Sequence, residues 1–228
     1  MLKHNVLILC GGKGSRLRSV WQKPKILAPI AETNYLNLIL NSFSELDINL
    51  NVFLATGFQS NIIEKYVYDE NISCSIIKEN TPLGTGGALL NYLESFDVER
   101  LTVMNGDTIY NLRDLKCFFR KSINSKKNII GTARIKINDR YGSLSIDNSF
   151  NLSKNEGTVL NDLVFTGIAT VNCKSLIKKV NFPLSLESLL NKSKLNKDDV
   201  EIVNFKKGFF DIGTPEAINS VEEWLTKN

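Results

Sequence analysis

The chain has 228 residues, of which 43% are hydrophobic and 23% charged, and it carries a formal charge of +4. That balance suits one α/β domain, or one domain with a small lobe, with the sizeable core of an ordinary globular protein. The basic pairs Lys126-Lys127, Lys178-Lys179 and Lys206-Lys207 are scattered and lack interleaved aromatics, so a nucleic-acid partner is excluded and the pairs read as solvated surface.

In chain order, the apolar run Val6 to Cys10 is long enough for one buried strand and too short for a membrane span. Met1 to His4 lead straight into it, which sets the expectation of no signal peptide and a cytoplasmic, non-membrane protein. His4, the only histidine, falls ahead of that strand, which argues against His-based acid–base catalysis and a zinc site. Gly11, Gly12, Gly14, Ser15, Arg16 and Leu17 follow, and then Pro24-Lys25. Glycines at a strand end let the backbone approach a ligand, its N–H groups can face phosphate oxygens, and Arg16 and Lys25 add positive charge. The spacing matches neither a P-loop, since Gly12-Lys13 is followed by Gly14, nor a dinucleotide loop, since Leu17 holds the third glycine position.

Leu36, Ile39, Leu40, Phe43 and Leu46 predict an amphipathic helix over 34–46. Asn51 to Gly57 predicts a second strand, Ser60 to Tyr66 a short helix, and Ile72 to Lys78 a third strand. This alternation implies right-handed crossovers and a mostly parallel sheet, with ligands at the carboxyl ends of its strands. Glu79 to Leu89 (ENTPLGTGGAL) opens a helix with three glycines in four residues, where Thr85 is expected either to cap that helix or to border a ligand. Arg100 to Met104 is a fourth strand, ending in Asn105-Gly106-Asp107, a turn that puts a carboxylate at the sheet's mouth; Asp114 is read as the exposed start of a helix. From Asn128 the texture becomes strand-like, with Arg140-Tyr141-Gly142, Lys154 and Thr166-Gly167 along it. A short helix is read over 184–190 and a strand over 199–205. Then come Phe210-Asp211-Ile212-Gly213-Thr214-Pro215 and a final helix capped by Thr214. Cys10, Cys74, Cys117 and Cys173 show no C-x-x-C, and three sit in apolar runs, which predicts reduced thiols.

These motifs, in this order, resemble the sugar-1-phosphate nucleotidylyltransferases. G-G-x-G-S-R-L…P-K is similar to the family signature with Ser15 in place of its commoner threonine. E-x-x-P-L-G-T-G-G-A-L, N-G-D, R-Y-G and F-x-D-I-G-T-P are similar to its later motifs, so the resemblance covers Leu7 to about Pro215. It implies a Rossmann-like three-layer α/β/α fold with a mostly parallel mixed sheet, the nucleotide-diphospho-sugar transferase fold. The chain is then a single domain, 1–125 binding nucleotide and 126–228 binding sugar phosphate. The implied reaction gives NDP-sugar and pyrophosphate from an NTP and a sugar 1-phosphate. Arg16 and Lys25 are implied as catalytic. Gly11, Gly12, Gly14, Ser15, Glu79, Gly84 and Thr85 are implied to meet the nucleotide, and Gly142, Lys154, Thr166 and Gly167 the sugar phosphate. Asp107 and Asp211 are implied to hold Mg²⁺. The family's usual Glu-Lys pair after R-Y-G is replaced here by Ser153-Lys154-Asn155-Glu156, and Lys154 is the stand-in for its lysine.

The Gly-Thr-Gly-Gly wording and the short chain are most similar to the branch of D-glycero-D-manno-heptose 1-phosphate guanylyltransferases, which makes GTP the expected nucleotide. A uridylyl- or thymidylyltransferase and a non-catalytic nucleotide-sensing subunit of the same fold are the alternatives. A homo-oligomer stays open.

Overall fold

The computed structural model describes residues 3–134, 143–146, 152–155, 163–193, 195 and 197–227. The first strand, β1 (His4–Leu9), is central because both of its neighbours lie parallel to it: β4 (Leu50–Thr56) on one side and β6 (Arg100–Asn105) on the other. Between β1 and β4 come a small hairpin, β2 (Pro29–Ile30) with β3 (Thr33–Asn34), and α1 (Tyr35–Ser44), whose first turn is closed by the Asn34 side chain accepting from Asn37 N at 3.0 Å. After β4 follow α2 (Ser60–Asp69), the edge strand β5 (Ser75–Lys78) and α3 (Gly84–Ser95). The edge strand is shorter than the sequence pattern suggests, starting at Ser75.

Past β6, the short β7 (Thr108–Tyr110) leads into α4 (Leu112–Asn124), capped by Asn111, which accepts from Arg113 N at 3.0 Å. The sheet continues through β8 (Asn128–Arg134), and a separate antiparallel pair is formed by β9 (Ser143–Ile146) and β10 (Leu152–Asn155). Then come β11 (Leu163–Asn172), α5 (Leu186–Lys192), β12 (Val200–Asn204), β13 (Phe209–Asp211) and α6 (Pro215–Lys227). The order in the seven-stranded sheet is β12-β8-β11-β6-β1-β4-β5, with β11 antiparallel to both neighbours and the remaining pairs parallel. The mixed, mostly parallel sheet of the sequence reading is what forms.

Alternate residues of β1 serve opposite faces. Val6 and Ile8 join the core under α1, α4 and α6, while Leu7 joins the core of Phe53, Leu89 and Tyr92 beside α3 and α5. Both faces of a parallel sheet must be covered, and a continuous apolar run is how such a strand reads in sequence. Three layers result. Beyond residue 126, β8, β11 and β12 extend the same sheet, and β13 returns to pair with β7, Asp211 opposite Thr108.

Two polar residues differ from expectation. Asp114, read as exposed, is buried in the first turn of α4 because its carboxylate accepts Lys207 N at 2.7 Å. His4, read as lying ahead of the strand, is its first residue. Its Nε2 lies 2.7 Å from Thr102 Oγ1, and burial, helped by the Arg100 charge, lowers its pKa to about 4. It starts β1, whereas the site described next is built where that strand ends.

Candidate functional site

The chain order changes direction across β1, since β4 lies on one side and β6 on the other. Crevices in open α/β sheets form at such switch points, beyond the carboxyl ends of the strands. A cavity of about 230 Å³ lies there, lined by Leu9, Cys10, Gly12, Gly14, Ser15, Arg16, Lys25, Ile26, Gly106, Asp107 and Gly213. Its volume is below the roughly 300–1,000 Å³ of a whole-ligand pocket and suits the phosphate part of a nucleotide.

The loop after β1 is tied down at both ends. Cys10 N donates to Ala55 O at 2.9 Å, and Phe58 N to Gly11 O at 3.0 Å. Gly14 adopts φ 59°, a left-handed conformation that costs glycine little, and starts the helical turn Ser15–Leu17. A side chain at Gly12 would meet no atom within 4 Å, whereas one at Gly11 would collide with the Glu79 carboxylate. Gly12 is thus open towards the cavity and Gly11 closed against the chain.

Lys25 opens a second helical turn, Lys25–Leu27. Its ammonium lies 2.7 Å from Asp107 Oδ2 and 3.8 Å from Asp211 Oδ1. The two aspartates come together because β7 and β13 pair, one starting just after Asp107 and the other ending on Asp211; Ile212 N also donates to Asp107 O at 3.1 Å. Asp211 Oδ1 is buried and accepts no hydrogen bond. Burial, and then the Asp107 charge, raise the Asp211 pKa, against the opposing effects of Lys25, the Gly213 N–H and Arg16. An orphaned buried carboxylate oxygen beside a second carboxylate is a donor set that fits a hard divalent cation, whose remaining positions water and phosphate would fill. Arg16 lies against Gly213, where an added Cβ would stand 2.9 Å from its guanidinium nitrogen.

Cys10 also lines the cavity. Its thiol donates to Ala55 O at 3.2 Å and burial pushes its pKa up, so it is no nucleophile. The described cavity lining therefore offers two cations and the Asp107 carboxylate, with Asp211 brought beside Asp107 by the β7–β13 pairing, and no histidine.

Other sequence-derived residues fall elsewhere. Glu79 accepts Leu83 N at 3.0 Å through Oε2, while Oε1 faces Gly11 and Gly57; burial raises its pKa. Gly84 and Thr85 are not among the cavity lining. Thr85 does not cap its own helix, which has no side-chain cap; its Oγ1 accepts Leu186 N at 2.8 Å, at the start of α5. Gly84, with φ 78°, packs on the Leu184 backbone, and Gly86 N and Gly87 N donate to Leu184 O at 2.9 and 3.2 Å. Thr166 is buried, its carbonyl accepting Tyr110 Oη at 2.9 Å, while Gly167, with φ 81°, lies against the Asn105 amide two residues from Asp107. Lys154 sits on β10 opposite Leu144, and Gly142 lies outside the described residues. Gly106 and Gly213 line the cavity without having been singled out; the sequence signal was their place inside the N-G-D and D-I-G-T-P strings.

Residues 5–161 match the family described as nucleotidyl transferase. A D-glycero-alpha-D-manno-heptose 1-phosphate guanylyltransferase of Aneurinibacillus thermoaerophilus is 30% identical over 229 residues, covering 96% of this chain and 97% of that protein. One from Campylobacter jejuni is 32% identical over 222 residues, covering 92% and 95%. Among solved structures, HddC from Yersinia pseudotuberculosis, complexed with GMP-PN, superposes with a TM-score of 0.79 at 28% identity, over 97% of this chain and 99% of that one. A putative glucose-1-phosphate thymidylyltransferase from Bacillus anthracis reaches 0.79 at 18% identity, covering 96% and 94%, a likeness of fold alone.

Proposed function

The chain belongs to the nucleotidyl transferase family, and on that premise we propose that it transfers the guanylyl group of GTP to D-glycero-D-manno-heptose 1-phosphate, giving the GDP-sugar and pyrophosphate. The observation that carries this reading is the Lys25–Asp107–Asp211 cluster beneath an open glycine loop, in a chain aligned nearly end to end with heptose 1-phosphate guanylyltransferases. A soluble cytoplasmic setting and a role in bacterial capsule or lipopolysaccharide glycans belong to the same proposal; among the described residues no helix is long and apolar enough to cross a membrane.

The chemistry asks little of acid–base groups. An oxygen of the sugar 1-phosphate is already anionic and attacks the α-phosphorus in line, as pyrophosphate departs on the opposite side. The described cavity lining holds no histidine, which agrees with this. What the chain supplies is placement and charge neutralisation. Gly12, Gly14 and Ser15 line the cavity where the loop backbone meets the nucleotide phosphates, and Gly11 holds the loop on Glu79. Arg16 offsets charge on the leaving pyrophosphate. Lys25 neutralises charge between the reacting phosphates and, before substrate arrives, offsets the repulsion between the two carboxylates.

Asp107 and Asp211 would hold Mg²⁺, which would supply further neutralisation of phosphate charge. Glu79, through the oxygen facing Gly11 and Gly57, borders the base and can accept from the N–H groups on the guanine edge. The loop it braces carries Gly84 and Thr85, whose share in base binding is through the shape of that loop. On the sugar side, Gly167 packs against Asn105, two residues from Asp107, and Gly142, Lys154 and Thr166 complete the proposed set.

The test is pyrophosphate release with five nucleoside triphosphates crossed against a panel of sugar 1-phosphates, with and without Mg²⁺. Release confined to GTP plus the heptose 1-phosphate is expected. Lys25→Ala should retain fold and lose about 10²–10³ in rate, the usual cost of one transition-state donor. Saturable GTP binding with no release on any acceptor would overturn the proposal in favour of a nucleotide sensor.

A further inference from the structure

The glycine loop between β1 and the turn Ser15–Leu17 has little packing of its own. Gly12, Lys13, Ser15 and Arg16 are exposed, and Leu17 is the first side chain after Cys10 to be buried. Much of the hold on the loop comes from a neighbour, Phe58, just after β4. Its N–H donates to Gly11 O at 3.0 Å. Its ring carries the Arg18 guanidinium, 4.2 Å from the centroid, and Arg18 Nε donates to Lys13 O at 3.2 Å. These contacts close a circuit. Phe58 grips Gly11 through its backbone and Lys13 through Arg18, so Gly12 is fixed from both sides.

Arg18 forms no ion pair among the described residues, and it is not part of the cavity lining. Its bond to Lys13 O has a geometric consequence. A trans peptide is planar, so its C=O and N–H point in opposite directions. With Lys13 O turned to Arg18, the N–H of Gly14 points the other way. Gly14 lines the cavity and Lys13 does not, and among the described residues no acceptor takes the Gly14 N–H. Left unheld, this peptide could rotate at small cost, because glycine accepts either sign of φ.

We propose that Arg18 is a positioning residue for the nucleotide: stacked on Phe58, it fixes the Lys13–Gly14 peptide with its N–H facing the phosphates. The inference rests on the reading that this loop meets a nucleoside triphosphate. Arginine suits the task because its planar cation lies flat on an aromatic ring while its Nε edge still donates; a lysine ammonium offers no such edge. A loop aligned before the ligand arrives loses less of the contact energy to ordering.

The test is calorimetry on the whole chain with Mg²⁺ and no sugar phosphate, comparing GTP with guanosine. Arg18→Ala should weaken GTP about tenfold, the combined worth of a stacked cation and one hydrogen bond, and leave guanosine within about twofold. Arg18→Lys, which keeps the charge, should be nearly as weak as Arg18→Ala. Phe58→Ala, which removes no charge, should reproduce the loss, and the double variant Arg18→Ala/Phe58→Ala should fall no more than about threefold below either single one, since both act through one contact. Wild-type affinity for GTP in Arg18→Ala would overturn the proposal. So would its recovery in Arg18→Lys, which would mean that charge alone matters, or equal weakening of GTP and guanosine, which would mean a general loss of structure. If the substrate panel selects another nucleotide, that triphosphate and its nucleoside replace this pair, so guanylyl transfer and the role of Arg18 fail separately.

Discussion

Two glycine-rich turns in this chain look alike in sequence and do opposite things. In Gly11-Gly12-Lys13-Gly14 the middle glycine faces open space, and the loop borders a cavity lined also by Arg16, Lys25 and Asp107. In Gly84-Thr85-Gly86-Gly87 every glycine is pressed against the segment 182–185 or Leu83, and Gly86 N and Gly87 N both donate to Leu184 O. The first leaves polar groups for a ligand to satisfy; the second satisfies them within the chain. Glycine density signals close approach, and only the partner says whether that approach is to a substrate or to the protein itself.

Substitutions can break this contrast. The largest effect is expected from Gly12→Val, which should lower kcat/KM for GTP about 100-fold, roughly 2.7 kcal/mol, with Tm within a degree or two of wild type. A large fall in Tm would mean that Gly12 is structural after all. Gly86→Ala places a Cβ 2.5 Å from Ser185 O and should behave the opposite way. It should lose about 1–3 kcal/mol by overpacking, or roughly 2–4 °C of Tm per kcal/mol in a chain of this size, with kcat of the folded enzyme retained. Unchanged Tm with lost turnover would reverse the assignment of the two turns. Thr85→Val should cost about 1–2 kcal/mol, since Leu186 N loses its acceptor; denaturant melts read this directly.

The smallest shift sharpens the site side of the comparison. The folded pKa of Asp211 is raised above its ordinary 3.8 by burial and by Asp107. The folded state therefore holds that proton more tightly than the unfolded chain, and stability falls as pH rises from about 3.8 through the raised value. Asp211→Asn should accordingly raise the Tm of the ligand-free protein at neutral pH, lose turnover, and show no Tm gain near pH 3.8. A lower Tm at neutral pH would mean that attraction to Lys25 outweighs the burial cost.

Much of the fold was legible because it rests on local pattern: the apolar run of β1, the helical spacing of α1, and the alternation that yields a mostly parallel sheet. The cluster at the switch point was legible through its motifs, although Lys25 and Asp107 lie 82 residues apart in sequence. What escaped the sequence depends on partners that no local pattern names. Thr85 looks like a helix cap until Leu186, 101 residues on, proves to be its donor. Asp114 looks like a solvated first-turn acid until Lys207, 93 residues on, covers it. His4 looks terminal, and only the parallel pairing of β1 with β6 brings it to Thr102.

The stitch between the second glycine turn and the segment leading into α5 also limits how this protein can be re-engineered. A designer who transplanted the 79–87 stretch from a relative would import glycines shaped to a foreign counterpart near 182–186. The graft would clash or gape unless both pieces travelled together. Sequence changes in the turn should therefore track paired changes across these two distant stretches, and libraries that randomise them jointly should yield folded variants far more often than libraries confined to either one.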